Sequence, residues 1–180
     1  LLTAGLPVDL ILSRAARLTL LDETGVPWHE DEASLTAWLG PLPDGADVEH
    51  WSPGDLAAGP SSGSYPTRGM VVVPATTASV AGIALGLSKD LLQRAADVTM
   101  KERRRLVVVP REMPLTGITL RHLVTLDAAG VVVAPASPGF YAGATSAQDL
   151  ADFVAAKVLD ILGVPHTLMR RWTGELGAAR

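Results

Sequence analysis

Four short runs of β-branched residues mark out this chain, and none shows the polar alternation of a half-exposed strand. Val8–Leu12 (VDLIL), Met70–Val73 (MVVV), Leu106–Val109 (LVVV) and Val131–Ala134 (VVVA) each end at a turn. Runs of this kind belong to strands covered on both faces. Between them lie segments with helical spacing. Ser79–Ala96 carries Val80, Ile83, Leu87, Leu91 and Leu92, with Gly86 as a kink, and Thr116–Ala128 carries Leu120, Leu123 and Leu126. Ser146–Leu162 sets Leu150, Phe153, Val154, Val158, Ile161 and Leu162 on one face, and Gly163 and Pro165 stop it. Strands alternating with such helices specify an α/β fold, a doubly wound parallel sheet with helices on both faces.

The 180 residues suit a single domain, since a chain of about 150 residues already buries roughly 70% of its unfolded surface. Pro41–Thr67 is rich in Pro, Gly, Ser and Ala and reads as a long loop over the sheet end, with one strand-like piece at Val48–Trp51. Within it, Ser61–Ser64 (SSGS) reads equally well as a plain flexible linker, and residues 173–180 read as a frayed tail. Leu1–Gly5 resembles the last turn of a helix with its glycine stop, so a strand, a turn and most of a helix are expected ahead of it.

A net charge of −4 disfavours a general nucleic-acid binder, which needs a basic excess to displace counterions from phosphates. Cysteine is absent, which excludes disulfides, thiolate metal sites and a cysteine nucleophile. It also fits a reducing compartment, so a soluble, cytoplasmic protein is expected. No apolar run approaches the roughly 20 residues that span a bilayer. The four histidines (His29, His50, His122 and His166) show no ligand spacing, and structural or surface roles without a metal are expected for all of them.

In a parallel sheet, ligands collect at the carboxyl ends of the strands. Ser13 and Arg14 follow the first run, Pro74–Ser79 (PATTAS) the second, Pro110, Arg111 and Glu112 the third, and Pro135–Tyr141 (PASPGFY) the fourth. Thr76, Thr77 and Ser79 open a helix, where unpaired N–H groups and the helix dipole bind anions. Ordinary N-capping explains one such hydroxyl. Three hydroxyls with an arginine on the next strand end point to a phosphate or flavin pocket. Arg94, Lys101 and Arg103–Arg105 form a basic run in which Arg103 and Arg104 read as a solvated face, while Arg94 and Lys101 approach the third apolar run.

The blocks RAADVTMKERRRLVVVPREMPLT (94–116), VVVAPASPGFY (131–141) and QDLADFVAAKVLDILGVP (148–165) resemble those of the flavin prenyltransferase family, the UbiX-like proteins. The resemblance runs from Ser13 to Trp172. It implies a flavodoxin-like (Rossmann-like) domain that binds reduced FMN and joins to its N5 and C6 a dimethylallyl group taken from dimethylallyl phosphate. The prenylated flavin then serves UbiD-type decarboxylases. The family needs no metal and commonly forms dodecamers with active sites at subunit interfaces.

By the same resemblance, Ser13, Thr76, Thr77, Ala78, Ser79 and Arg111 contact FMN. Arg94, Lys101, Glu112, Tyr141 and Lys157 surround the dimethylallyl phosphate, and Trp172 is an aromatic near the site. Glu23 is an acidic residue tied to proton handling, and Glu23, Glu112 and Lys101 form the expected catalytic set. Departure of an allylic phosphate leaves a cation and a dianion, which calls for fixed cationic donors at the phosphate. Ring closure at C6 releases a proton that Glu23, Glu112 or the phosphate itself can accept.

Two departures stand out. Ala75 replaces a cysteine common in the flavin-contacting turn, and the family's opening strand with its GASG-type loop has no counterpart. The alternatives are an FMN-dependent decarboxylase of cysteine-derived carboxylates and a non-catalytic flavin-binding subunit. The decarboxylase type carries a PASANT-like block and an early histidine. Here the turn reads PASPGFY, and no histidine precedes Trp28.

Overall fold

A computed structural model of the chain describes residues 1–140, 143–169, 171 and 174. Its strands are β1 (Val8–Ile11), β2 (Val48–Trp51), β3 (Gly69–Ala75), β4 (Arg105–Pro110) and β5 (Val132–Val133). Its helices are α1 (Arg14–Thr24), α2 (Glu32–Leu39), α3 (Thr77–Ala84), α4 (Leu91–Lys101), α5 (Gly117–Ala128) and α6 (Ala147–Leu162). All strand pairs are parallel, in a β1–β2 pair and a β3–β4–β5 sheet. Among the described residues no backbone ladder joins the two.

β4 shows why the apolar runs do not alternate. Leu106 and Val108 face a core built with Val80, Ile83, Ala96, Leu123 and Leu126, from α3, α4 and α5. Val107 and Val109 face the opposite way, onto Val158, Val154 and Ile161 of α6. All four β4 residues are at most 1% exposed. Both faces are covered, so both must be apolar.

β3 tolerates Pro74 because its register with β4 shifts between Val72 and Ala75, and a proline that cannot donate to the ladder is accommodated at such an irregularity. At the other end of β3, Gly69 lies against the Arg105 carbonyl, where a Cβ would come within 2.7 Å of the oxygen.

The structure corrects the single helix expected over Ser79–Ala96. Gly86 adopts φ 64 directly after α3, and the chain turns before α4 starts on its Asp90 cap. A left-handed residue ends a helix instead of kinking it. The strand-like piece at Val48–Trp51 is β2, in parallel register with β1 from Val8↔Val48 to Ile11↔Trp51. The SSGS stretch is ordered by local bonds: a 3₁₀ turn covers Gly59–Ser61, and the Ser62 and Ser64 hydroxyls lie 2.9 Å apart.

Candidate active site

The carboxyl ends of β3 and β4 bring Thr76–Ser79, Arg111 and Glu112 together, and Ser13 follows β1. Ser13 caps α1, its Oγ accepting the Ala16 amide at 3.1 Å. Thr76 caps α3 in the same way, accepting the Ser79 amide at 3.1 Å, and its hydroxyl also lies 3.1 Å from that of Ser79. The capping role is therefore real for Thr76. It leaves the amides of Thr77 and Ala78, in the exposed first turn, without an intrahelical acceptor.

Ala75 pairs in register with Pro110, so Thr76 and Arg111 leave adjacent strands side by side, where strands run about 4.8 Å apart. The Ala136 amide donates to the Pro110 carbonyl at 3.0 Å, which brings the segment after β5 to the same edge. Arg111 and Glu112 are exposed, and neither has an ion-pair or hydrogen-bond partner among the described residues. Apolar surface lies on the same side: Val73 is 57% exposed, Met113 92% and Phe140 74%.

A second group of expected residues stands elsewhere in the single chain. Glu23 is nine residues along α1 from Arg14, about 14 Å down the helix. Lys101 ends α4 just before β4, whose six residues put about 20 Å between it and Arg111. The Lys101 ammonium lies 2.5 Å from Glu102 Oε1. Arg94 donates from Nε to the Ser61 carbonyl at 3.1 Å and pairs with Asp97 at 3.0 Å. Lys157 is exposed one turn before Ile161, whose carbonyl accepts from Arg105 at the start of β4. Tyr141 and Trp172 lie outside the described residues, as does nearly all of the 173–180 tail.

Arg104 corrects the reading of Arg103 and Arg104 as a solvated face. Its guanidinium is partly buried and donates to the Gly63 and Tyr65 carbonyls, each at 2.7 Å, and to the Thr67 hydroxyl at 3.2 Å. It clasps the end of the long loop. Asp9 is a second residue that the sequence reading passed over. Its Oδ1 accepts from Trp51 Nε1 at 2.7 Å and from Tyr65 Oη at 2.9 Å. The Asp9 carboxylate, helped by burial, pushes the Tyr65 hydroxyl above its ordinary pKa. A charged residue inside VDLIL was the available signal. Among the histidines, His166 pairs with Asp160 at 3.0 Å. The described residues contain no cluster of three or more His, Asp or Glu able to hold a metal ion.

No described helix is long and apolar enough to cross a membrane. The flavoprotein family profile matches residues 1–159. The flavin prenyltransferase UbiX of Streptomyces coelicolor is 65% identical, with 100% of this chain and 88% of the relative covered. That of Methanothermobacter thermautotrophicus is 40% identical, over 96% of this chain and 84% of the relative. Among solved structures, AnUbiX (PadA1) in complex with FMN and dimethylallyl pyrophosphate superposes with a TM-score of 0.80 at 38% identity, covering 93% of this chain and 82% of the other. A dodecameric FMN-dependent UbiX-like decarboxylase from Escherichia coli O157:H7 does so with a TM-score of 0.81 at 39% identity, covering 93% and 84%. The parallel sheets, the helices on both faces and these relatives agree: the chain belongs to the flavoprotein family, within its flavin prenyltransferase branch.

Proposed function

We propose that this protein joins the dimethylallyl group of dimethylallyl phosphate to N5 and C6 of reduced FMN, making the cofactor of a UbiD-type decarboxylase. The observation that carries the reading is Arg111, without a partner among the described residues, beside the exposed first turn of α3. A free guanidinium, the Thr77 and Ala78 amides, the Ser13 and Thr76 hydroxyls and the exposed apolar Val73, Met113 and Phe140 suit a ligand that is aromatic at one end and phosphorylated at the other.

Reduced FMN supplies the electron-rich N5 and C6 that take the prenyl group. The chain's residues hold and balance charge around it. Arg111 offers a fork of donors to a phosphate whose charge grows as the allylic C–O bond breaks. Glu112, next to Arg111 on the same turn, is the side chain we assign to the proton released from C6.

Arg94, Lys101, Lys157 and Glu23 do not converge on Arg111 within one chain. Their placement supports a site completed by neighbouring copies in a homo-oligomer, and the dodecameric relative supports a twelve-subunit assembly.

The test is anaerobic incubation with reduced FMN and dimethylallyl phosphate, followed by denaturation and mass spectrometry of the released flavin. A flavin heavier by one prenyl unit is expected. FMN that binds but stays unmodified overturns the reading, and release of CO₂ from a cysteine-derived carboxylate would replace it with the decarboxylase. If no flavin binds, the reading is overturned as well.

A further inference from the structure

The amino end of the sheet, opposite the candidate active site, holds a cavity of about 440 Å³ lined by Arg68, Arg103, Arg104 and Arg105, the start of β5 and the end of α6. Four guanidiniums around one cavity are unexpected in a chain of net charge −4. Two of them are committed to neutral acceptors. Arg104 clasps the Gly63, Tyr65 and Thr67 segment, and Arg105 donates to the Ile161 carbonyl at the end of α6.

Arg68 and Arg103 have no hydrogen-bond or ion-pair partner among the described residues. The nearby acids do not neutralise them: Glu102 pairs with Lys101, and Asp160 with Arg171 and His166. Arg103 also sits at φ 57, just past the end of α4. At the ends of α1 and α6 the equivalent left-handed position is filled by Gly25 and Gly163. Glycine is the residue that conformation favours. An arginine there places a charge at the mouth of the cavity at the cost of a strained backbone.

We propose that this cavity is a second anion site, separate from the active site, that takes a diphosphate group. Two uncommitted guanidiniums match two phosphate groups through charge-assisted, forked hydrogen bonds, with Arg104 and Arg105 adding field from behind. Val132 and Leu162 give the cavity an apolar wall on which the organic part of a diphosphate ester rests.

The test is calorimetric titration of the protein, with and without added FMN, using inorganic pyrophosphate and in parallel a simple alkyl diphosphate ester. Three chains are compared: wild type, the Arg68→Gln/Arg103→Gln double variant, and Arg111→Ala. One site per chain is expected that survives Arg111→Ala and weakens about tenfold or more in the double variant, as loss of one to two charge-assisted bonds requires. Tighter binding of the ester assigns the site to an organic diphosphate, and equal binding assigns it to pyrophosphate itself. Unchanged affinity in the double variant, or loss only in Arg111→Ala, overturns the proposal. Arg68 and Arg103 hold no other residue among those described, so the double variant should keep the wild-type thermal midpoint, and a midpoint that falls sharply counts against an unoccupied ligand site. The titration without FMN reads this site whether or not flavin transfer is the protein's reaction.

Discussion

The β3–β4–β5 half and the β1–β2 half of this molecule are held by different physics. In the first, Leu106 to Val109 of β4 are sealed between α3, α4 and α5 on one side and α6 on the other. In the second, no residue of either strand is buried, and the burial there comes from Leu12, Leu20 of α1 and Leu35 of α2. Directional contacts tie the strands themselves. Asp9 receives Trp51 and Tyr65, Trp28 meets Trp38 edge-on with ring centroids 6.2 Å apart, and the His50 ring lies 5.4 Å from that of Trp28. Burial is non-directional and scales with volume, whereas polar and aromatic contacts depend on geometry. The strands of the first half should therefore answer to side-chain size, and those of the second more to hydrogen-bond chemistry.

The largest expected effect tests that division at the centre of β4. Leu106→Ala empties a fully buried site and should cost about 2–5 kcal/mol in urea unfolding. Leu10→Ala, in the half-buried β1, should cost less than half as much. Equal losses would break the comparison, because they would mean that β1 is as well packed as β4.

The edge where both halves end should respond in activity and not in stability. Arg111→Ala removes a side chain with no partner among the described residues. Its thermal stability should stay within about 0.5 kcal/mol of wild type. Its rate of flavin prenylation should fall about 100-fold or more, as expected when a donor to developing charge is lost. A stable variant with full turnover would move the phosphate elsewhere.

Arg104 makes three of the bonds that tie down the end of the long loop between the halves. Arg104→Ala leaves the Gly63 and Tyr65 carbonyls without their donor and should cost about 1–3 kcal/mol, with faster amide exchange confined to residues 59–67. Arg104→Lys should recover only part of this, since a single ammonium cannot span the acceptors a planar fork reaches. Full recovery would reduce the clasp to simple charge.

These contrasts explain what was legible in the sequence. The apolar run of β4 was plain because burial on both faces leaves a compositional mark, and β3 and β5 beside it carry the same residue types. Capping was raised for the Thr76–Ser79 hydroxyls alone, and Thr76 takes that role; Ser13, Thr116 and Ser146 cap in the same way, each accepting the amide three residues on. Gly86 was visible, but whether it kinks or ends a helix depends on the turn that Asp90 then restarts. Arg104 and Asp9 were missed for a shared reason: their partners lie about 40 or more residues away in sequence, and no local pattern encodes such a pair. The candidate site was read as one cluster from a family resemblance. Whether Arg94, Lys101 and Lys157 meet Arg111 is a property of the assembly, and a single chain does not encode it locally.

The smallest effects separate the two halves by pH. Tyr65, in the β1–β2 half, has a pKa raised above 10.0 by its hydrogen bond to Asp9 and by burial. A raised folded pKa means that the protonated phenol is stabilised by folding. That contribution is complete below about pH 10 and is lost as pH climbs through the folded value. Asp160, at the end of α6, moves the other way. The Arg171 guanidinium, helped by His166 and opposed by burial, holds its pKa at about 2 against an ordinary 3.8. A lowered folded pKa contributes above the ordinary value, and the contribution disappears as pH falls from about 4 to about 2. Tyr65→Phe should therefore flatten the alkaline limb of the melting profile, while Arg171→Gln should flatten the acid limb. At neutral pH, Tyr65→Phe should cost about 1 kcal/mol, the worth of one hydrogen bond. If Tyr65→Phe leaves the alkaline limb unchanged, the Asp9 contact does not stabilise the phenol, and the pH contrast between the halves is lost.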